Sequence, residues 1–184
     1  QFKKSAWFYK SIFKNDAQFD GAEFYSDVSF EEVIFEYNSN FRVEFKYEAN
    51  FRRTVFKKQA NFIRAKFRED ALYIGAIFEG DLIFDYSEIY SDIYLTNATY
   101  KGDISFIGAQ FGKRIFVSWD SIKDHLVYDG PTYLFMTRNY NNLELFDDAD
   151  RCYFNYRITR FKKLKIQQKL IDSIPLLAFG YGVK

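Results

Sequence analysis

Large apolar residues return along this chain with a short, steady beat. From Phe19 they fall at Phe24, Phe30, Phe35, Phe41, Phe45, Phe51, Phe56, Phe62, Phe67, Tyr73, Phe78, Phe84, Ile89, Leu95, Tyr100, Phe106, Phe111 and Phe116. Steps of five and six alternate, so the true period is eleven, with one slip to ten between Phe41 and Phe51. Two positions ahead of most of them stands a small or branched residue, as at Ala17, Ala22, Val28, Val33, Ala60 and Ala65. A helix would repeat its apolar positions at three and four, and a long strand at two. Neither pattern is present. In extended backbone, residues i and i+2 point to one side, so Ala17 and Phe19 face inward together and Gln18 between them faces out. The polar residues that follow, often Asp, Gly, Asn, Lys or Arg, supply a corner. Strand, corner, strand, corner makes a coil, and coils stacked at about 4.8 Å pair backbone to backbone as a β-solenoid.

Five residues to a side resembles the pentapeptide-repeat family, whose motif is loosely A-(D/N)-(L/F)-x-x. Ala49-Asn50-Phe51, Ala60-Asn61-Phe62 and Ala65-Lys66-Phe67 carry the likeness. It spans roughly residues 13–118 and implies an all-β fold, a right-handed quadrilateral β-helix of about five coils, with a carboxy-terminal helical cap. The core so implied is Phe19, Phe24, Phe30, Phe35, Phe41, Phe51, Phe56, Phe62, Phe67, Phe78, Phe84, Phe106 and Phe111. Two departures matter. Phe rather than Leu dominates the central position, and alternate sides carry a sixth residue, which lengthens a four-sided coil to about 22 residues. The extra residue is expected to be absorbed at a corner, as single insertions in β structure are, with local irregularity near Phe45. Rings stacked down the axis are expected offset or edge-on.

The expected organisation is an amino-terminal cap or irregular first turn over 1–12, the solenoid over 13–118, an irregular connection over 119–142, and a helical cap and tail over 143–184. The connection contains the turn signal Gly130-Pro131 and the single histidine, His125, which reads as a surface residue rather than a metal ligand. Beyond it, Asp147, Asp148 and Asp150 precede a run of bases from Arg157 to Lys169, the order that a helix dipole favours. Tyr153, Tyr156, Phe161, Leu164 and Gln168 mark the stripe of a helix of about 20 residues.

Charge adds a pattern that the net value of +1 conceals. Residues 16–50 hold nine acids and two bases, 51–68 hold seven bases and no acid, and 69–108 hold eight acids and Lys101. The seven bases, Arg52, Arg53, Lys57, Lys58, Arg64, Lys66 and Arg68, are the candidate interaction surface. They read either as a belt that grips a polyanion or as rungs of charge ladders between coils. Counting one coil back sets Arg52, Arg53 and Lys57 near Glu31, Glu32 and Glu36, and counting one coil forward sets Lys57 near Glu79 and Lys66 near Glu88. Opposite charges facing across a strand pair are mildly stabilising. Acid on both sides of the belt makes it a poor site for duplex DNA, so nucleic acid is not an expected partner. Outward tyrosines at Tyr25, Tyr37, Tyr47, Tyr86, Tyr90 and Tyr94 read as a recognition face or as stacked corners.

Catalysis has no foothold in the sequence. There is no phosphate loop, nucleophile elbow or cluster of metal ligands, and no cofactor is expected. One cysteine, Cys152, excludes an internal disulfide and suits a reducing, cytoplasmic setting. No apolar run reaches the roughly 20 residues of a membrane span. The chain begins at Gln1 rather than Met, which reads as a piece of a longer protein. The stretch from Asp147-Asp148-Ala149-Asp150-Arg151-Cys152-Tyr153-Phe154 to Gly180-Tyr181-Gly182 resembles the linker of pentapeptide-repeat proteins that carry membrane or channel-like segments downstream. The expected function is therefore a non-catalytic scaffold or interaction domain, membrane-proximal as the cytosolic part of a larger protein. The alternative that the family implies is a DNA mimic acting on a type II topoisomerase. The protein partner is unidentified, and the apolar run 174–183 is where two or more copies would join.

Overall fold

The computed structural model describes residues 1–164, which divide into two compact units, the first ending at Val127 and the second beginning at Tyr128. The first unit is a four-sided parallel β-solenoid of about five coils. Each side is a two-residue strand, and each strand pairs with those one coil before and after it. The first face stacks Ala6–Trp7, Val28–Ser29, Ala49–Asn50, Ala71–Leu72, Ile93–Tyr94 and Ile115–Phe116. The second stacks Ile12–Phe13, Ile34–Phe35, Val55–Phe56, Ile77–Phe78 and Thr99–Tyr100. The third runs from Ala17–Gln18 to Ile104–Ser105, and the fourth from Glu23–Phe24 to Gln110–Phe111. Partners stand 22 residues apart, as at Ile12↔Ile34 and Ala60↔Leu82. The spacing drops to 21 at Glu23↔Glu44 and Val28↔Ala49.

The two step lengths make two kinds of corner. A five-residue step is a tight turn in which the third amide after the central ring donates back to that ring's carbonyl, as Ala22 to Phe19 at 2.8 Å and Ala65 to Phe62 at 3.0 Å. The second residue after the ring then needs positive φ, the signature of a type II turn. That position is Lys10, Gly21, Glu32, Arg53, Arg64, Gly75, Tyr86, Asn97 or Gly108, and φ there lies between +54° and +72°. Only some of these are residues that adopt this region without strain. The corner at Phe41–Phe45 has one residue fewer, and the Val43 amide donates to the Phe41 carbonyl instead. The slip in the sequence is this corner, and its local cost is visible. Phe24 and Phe45 stack at 5.8 Å, whereas Phe45 and Phe67 stack at 4.9 Å. Six-residue steps place the extra residue at the corner, as expected. Several carry an Asp whose carboxylate accepts from a backbone amide one coil on, as Asp16 from Asn38 at 3.1 Å and Asp81 from Asp103 at 3.0 Å.

Inside, four columns of rings rise along the axis. Phe13, Phe35, Phe56 and Phe78 stack at 4.9, 5.1 and 5.1 Å with planes within 17°. Phe19, Phe41, Phe62 and Phe84 do so at 5.0, 4.9 and 5.0 Å. Rings of adjacent columns meet edge-on, as Phe41 and Phe51 at 5.3 Å and 83°. Of the implied core, Phe24, Phe30, Phe35, Phe41, Phe51, Phe56, Phe62, Phe67, Phe78, Phe84 and Phe106 are buried. Phe19 and Phe111 are half-buried, because each stands in a terminal coil with a neighbouring coil on one side only.

Three expectations need correction. Residues 1–12 are not a cap, because Ala6–Trp7 and Ile12–Phe13 pair with the second coil in full register. Phe116 is not an inward residue. Its ring lies on outward Tyr94 at 4.6 Å, and Val117 takes the buried position 22 residues after Leu95. The segment 119–142 is not irregular. Helix α1, Trp119–Ile122, buries Trp119 and Ile122, and residues 125–127 then pair with the last coil through Ile104. His125 is half-buried there, with Nδ1 2.9 Å from the Gly102 carbonyl.

The second unit packs α2, Gly130–Asn142, against α3, Phe146–Lys163. Pro131 opens α2 rather than ending a turn, with the Asp129 carboxylate accepting from the Thr132 amide at 3.0 Å. Such a cap stabilises a helix by about 1 kcal/mol. α3 carries Asp147 and Asp148 in its first turn and Arg160, Lys162 and Lys163 in its last, as the dipole argument requires. Its buried stripe is Ala149, Cys152 and Tyr156, one helical face beside the predicted one. Gln168, the bases beyond Leu164 and the run 174–183 lie outside the described residues.

Candidate interaction surface

Since the lumen is filled by rings, everything the first unit offers a partner stands on its corners and outward strand positions. Each face has its own chemistry. The fourth is charged, with Glu23, Glu44, Lys66 and Glu88 in one row. The third is largely amide, with Gln18, Asn40 and Asn61 followed by Ile83. Asn61 donates to Asn40 at 3.0 Å. The second is aliphatic, with Ile12, Ile34, Val55 and Ile77. The first is mixed, from the exposed Trp7 to the Tyr94–Phe116 stack.

The seven candidate bases do not converge. Arg52 and Arg53 stand at the corner between the first and second faces, Lys57 and Lys58 at the next, and Arg64 at the third. Lys66 points out from the fourth face, and Arg68 stands at the corner back to the first. They encircle one coil, whereas a site for a single polyanion needs them on one side. Most are rungs of ladders. Arg53 bonds Glu31 and lies 2.9 Å from Glu32. Lys57 lies 3.1 Å from Glu36, Lys66 2.7 Å from Glu88, and Arg68 2.7 Å from Glu44. Beyond the belt, Lys10–Glu32 at 3.5 Å and Lys101–Glu79 at 2.9 Å extend the pattern.

The protonation equilibria follow these pairings. The Lys101 ammonium bonded to Glu79 holds that carboxyl below its usual range. Lys66, with help from the Tyr90 hydroxyl, does the same for Glu88, and Glu88 in turn raises Lys66. Two of the outward tyrosines join the ladders through their hydroxyls and ring faces. Tyr25 donates to Glu23 at 2.8 Å and lies under Lys46 at 4.1 Å, and Tyr90 lies under Arg68 at 4.4 Å. The columns thus tie coil to coil along the axis.

Residues 8–42 and 41–88 match the family model described as pentapeptide repeats (9 copies). The solenoid belongs to the pentapeptide-repeat family. Neither a curated protein nor a solved structure matches the chain. The pentapeptide repeats continue structurally past the matched residues, to Ile115–Phe116, although Ile89, Leu95 and Val117 replace rings there.

Among the described residues no group of three His, Cys, Asp or Glu side chains is placed to hold a metal ion. No described helix is long and apolar enough to cross a membrane. The Cys152 thiol is buried, which pushes its pKa up to about 12, and it donates to the Tyr133 carbonyl at 3.7 Å. It is a packing residue. The aliphatic row of the second face is the feature that sequence reasoning missed. Its signal is one branched residue every 21 or 22 positions, hidden between the small and large residues of the inward series.

Proposed function

We propose that this pentapeptide-repeat chain is a non-catalytic interaction scaffold, serving as the cytosolic, membrane-proximal part of a larger protein. The observation that carries the scaffold reading is the division of labour in each coil. Inward positions go to rings, and outward positions form rows about 4.8 Å per rung apart, charged on the fourth face, largely amide on the third and aliphatic on the second. Such faces suit recognition of another surface, and they lack the concave, dry pocket with convergent polar groups that catalysis uses. The finer reading rests on the likeness of 147–154 and 180–182 to linkers that precede membrane segments. The basic end of α3, Arg160, Lys162 and Lys163, suits an anionic inner leaflet.

The deciding experiment is to read the gene beyond Lys184 and fractionate its full product. Two or more apolar runs of about 20 residues, with the product retained in carbonate-washed membranes and the solenoid open to protease from the cytosolic side, is the expected result. A stop codon at that point overturns the appendage and leaves the scaffold. An enzymatic turnover that tracks the purified chain, and is lost on one outward substitution, overturns the scaffold itself. Acids paired into ladders leave little continuous anionic face for a DNA mimic. The chain is accordingly expected to leave gyrase supercoiling unchanged.

A further inference from the structure

The second face departs from the usual logic of a sheet with one side in water, where outward positions are polar. Its outward row is Ile12, Ile34, Val55 and Ile77, one per coil, and Thr99 closes it in the fifth. Ile12 is 52% exposed and Ile77 38%. Charges flank the row on both edges, alternating through all five coils on one and through the first three on the other. One edge reads Lys14, Glu36, Lys57, Glu79, Lys101, and the other Lys10, Glu32, Arg53, Gly75, Asn97. An aliphatic strip between charged rims is the layout of an interface, apolar at its centre and polar at its edge.

We propose that two copies of this chain associate through their second faces, antiparallel, about a two-fold axis lying along the strands between the second and third coils. The rims select this arrangement. A two-fold parallel to the solenoid axis would keep each coil opposite itself and exchange the edges. It would set Lys10 against Lys14, Glu32 against Glu36 and Arg53 against Lys57, all repulsive. A two-fold along the strands reverses the coil order and keeps each edge opposite itself. Centred between coils two and three, it sets Lys14 against Glu79, Glu36 against Lys57 and Glu32 against Arg53. Lys10 meets Gly75, which offers no charge. The same operation lays Ile12 on Ile77 and Ile34 on Val55, so the aliphatic strip covers itself in full. Centring on the second coil instead opposes Glu32 to its own copy and Lys10 to Arg53. Centring on the third opposes Arg53 to its own copy and Glu36 to Glu79. Centring between the third and fourth coils also opposes unlike charges, Lys57 to Glu79 and Glu36 to Lys101, but it lays Ile34 on Thr99 and leaves Ile12 uncovered. The sign alternation and the extent of the strip together therefore define the isologous contact of a closed dimer. The ion pairs within each copy, Lys57–Glu36 and Arg53–Glu32, become four-charge clusters across the axis rather than being broken.

Four rungs at about 4.8 Å give a patch of a few hundred Å² per copy, below the roughly 800 Å² per partner of a standard interface. The dimer is accordingly weak, with a dissociation constant on the order of 100 μM. The test is sedimentation equilibrium of the full chain across that range. Ile34→Glu places a carboxylate against Val55 twice per dimer and should raise the dissociation constant by about tenfold or more. Ile34→Thr, which keeps the β-branch and the fold, should raise it less. Lys57→Glu and Glu36→Lys should each be monomeric alone, because each then opposes like charges across the axis. Mixed in equal amounts they should form a heterodimer, since each unmodified charge then meets its opposite. Circular dichroism melts confirm that every variant is folded. A chain that stays monomeric to about 1 mM overturns the proposal. So does a dimer indifferent to Ile34→Glu, or a mixture of folded charge variants that does not associate.

Discussion

Tyr73 stands where the same column has Phe8, Phe30 and Phe51 in earlier coils, and its hydroxyl gives the sharpest test of how the lumen is packed. The ring lies on Phe51 at 4.9 Å and 3°, meets Phe84 edge-on at 5.7 Å, and is wholly buried. Among the described residues the hydroxyl has no hydrogen-bond partner, and burial drives its pKa well above the usual tyrosine value. A buried hydroxyl without a partner costs about 1–3 kcal/mol. Tyr73→Phe removes that atom and leaves the ring contacts, so it should stabilise the solenoid by about 1 kcal/mol or more, at an unchanged m-value. For a chain of this size that raises the melting temperature by about 2–4 °C. Phe51→Tyr, which installs a hydroxyl one rung away, should move stability the other way. The assay is urea unfolding followed by circular dichroism at neutral pH. A loss of stability in Tyr73→Phe would refute the reasoning, because it would mean that the hydroxyl is satisfied inside the coil.

Other changes have equally definite signs. Arg64 holds φ of +58° at a tight corner, and Arg64→Asn, better suited to that region, should add about 0.5–1 kcal/mol in the same titration. Gly80→Ala should cost several-fold more than that gain, since a Cβ there would lie 2.5 Å from the Lys58 carbonyl carbon, and a shifted or lost melt measures it. Acid should loosen the ladders. Glu79 and Glu88 have folded pKa values below the ordinary 4.5, so their contribution is full above that value and fades as pH falls through the lower folded one. Melting temperatures should drop below about pH 4.5, and Lys101→Met should flatten part of that drop. High salt should also shrink it.

Much of the fold was legible because a ring that must be buried every coil cannot hide its period. The alternation of five and six became two corner types, and the slip before Phe51 became the short corner at Phe41–Phe45. The pairings Arg53–Glu31, Lys57–Glu36 and Lys66–Glu88 followed from counting one coil, since parallel stacking puts equivalent residues side by side. Other features had no such rule behind them. Lys10, Glu32, Arg53, Arg64 and Tyr86 give no hint of positive φ, because the hydrogen bonds and stacking of the coil impose it over their own preference. Phe116 carried the expected residue type at the wrong parity, and its outward ring is half-covered by stacking on Tyr94. Gly130-Pro131 marks a turn or a helix start equally well, and Asp129 capping Thr132 decides between them. The aliphatic second face was readable only after the inward series had been set aside.

The short corner at Phe41–Phe45 shows where a solenoid tolerates a change of length. One residue is missing there, yet Glu44 still pairs with Glu23 on one side and Lys66 on the other, and Phe45 stays buried. A corner can thus gain or lose a residue while the strands keep their rows, so length variation is confined to the corners and the chemistry of each face is left intact.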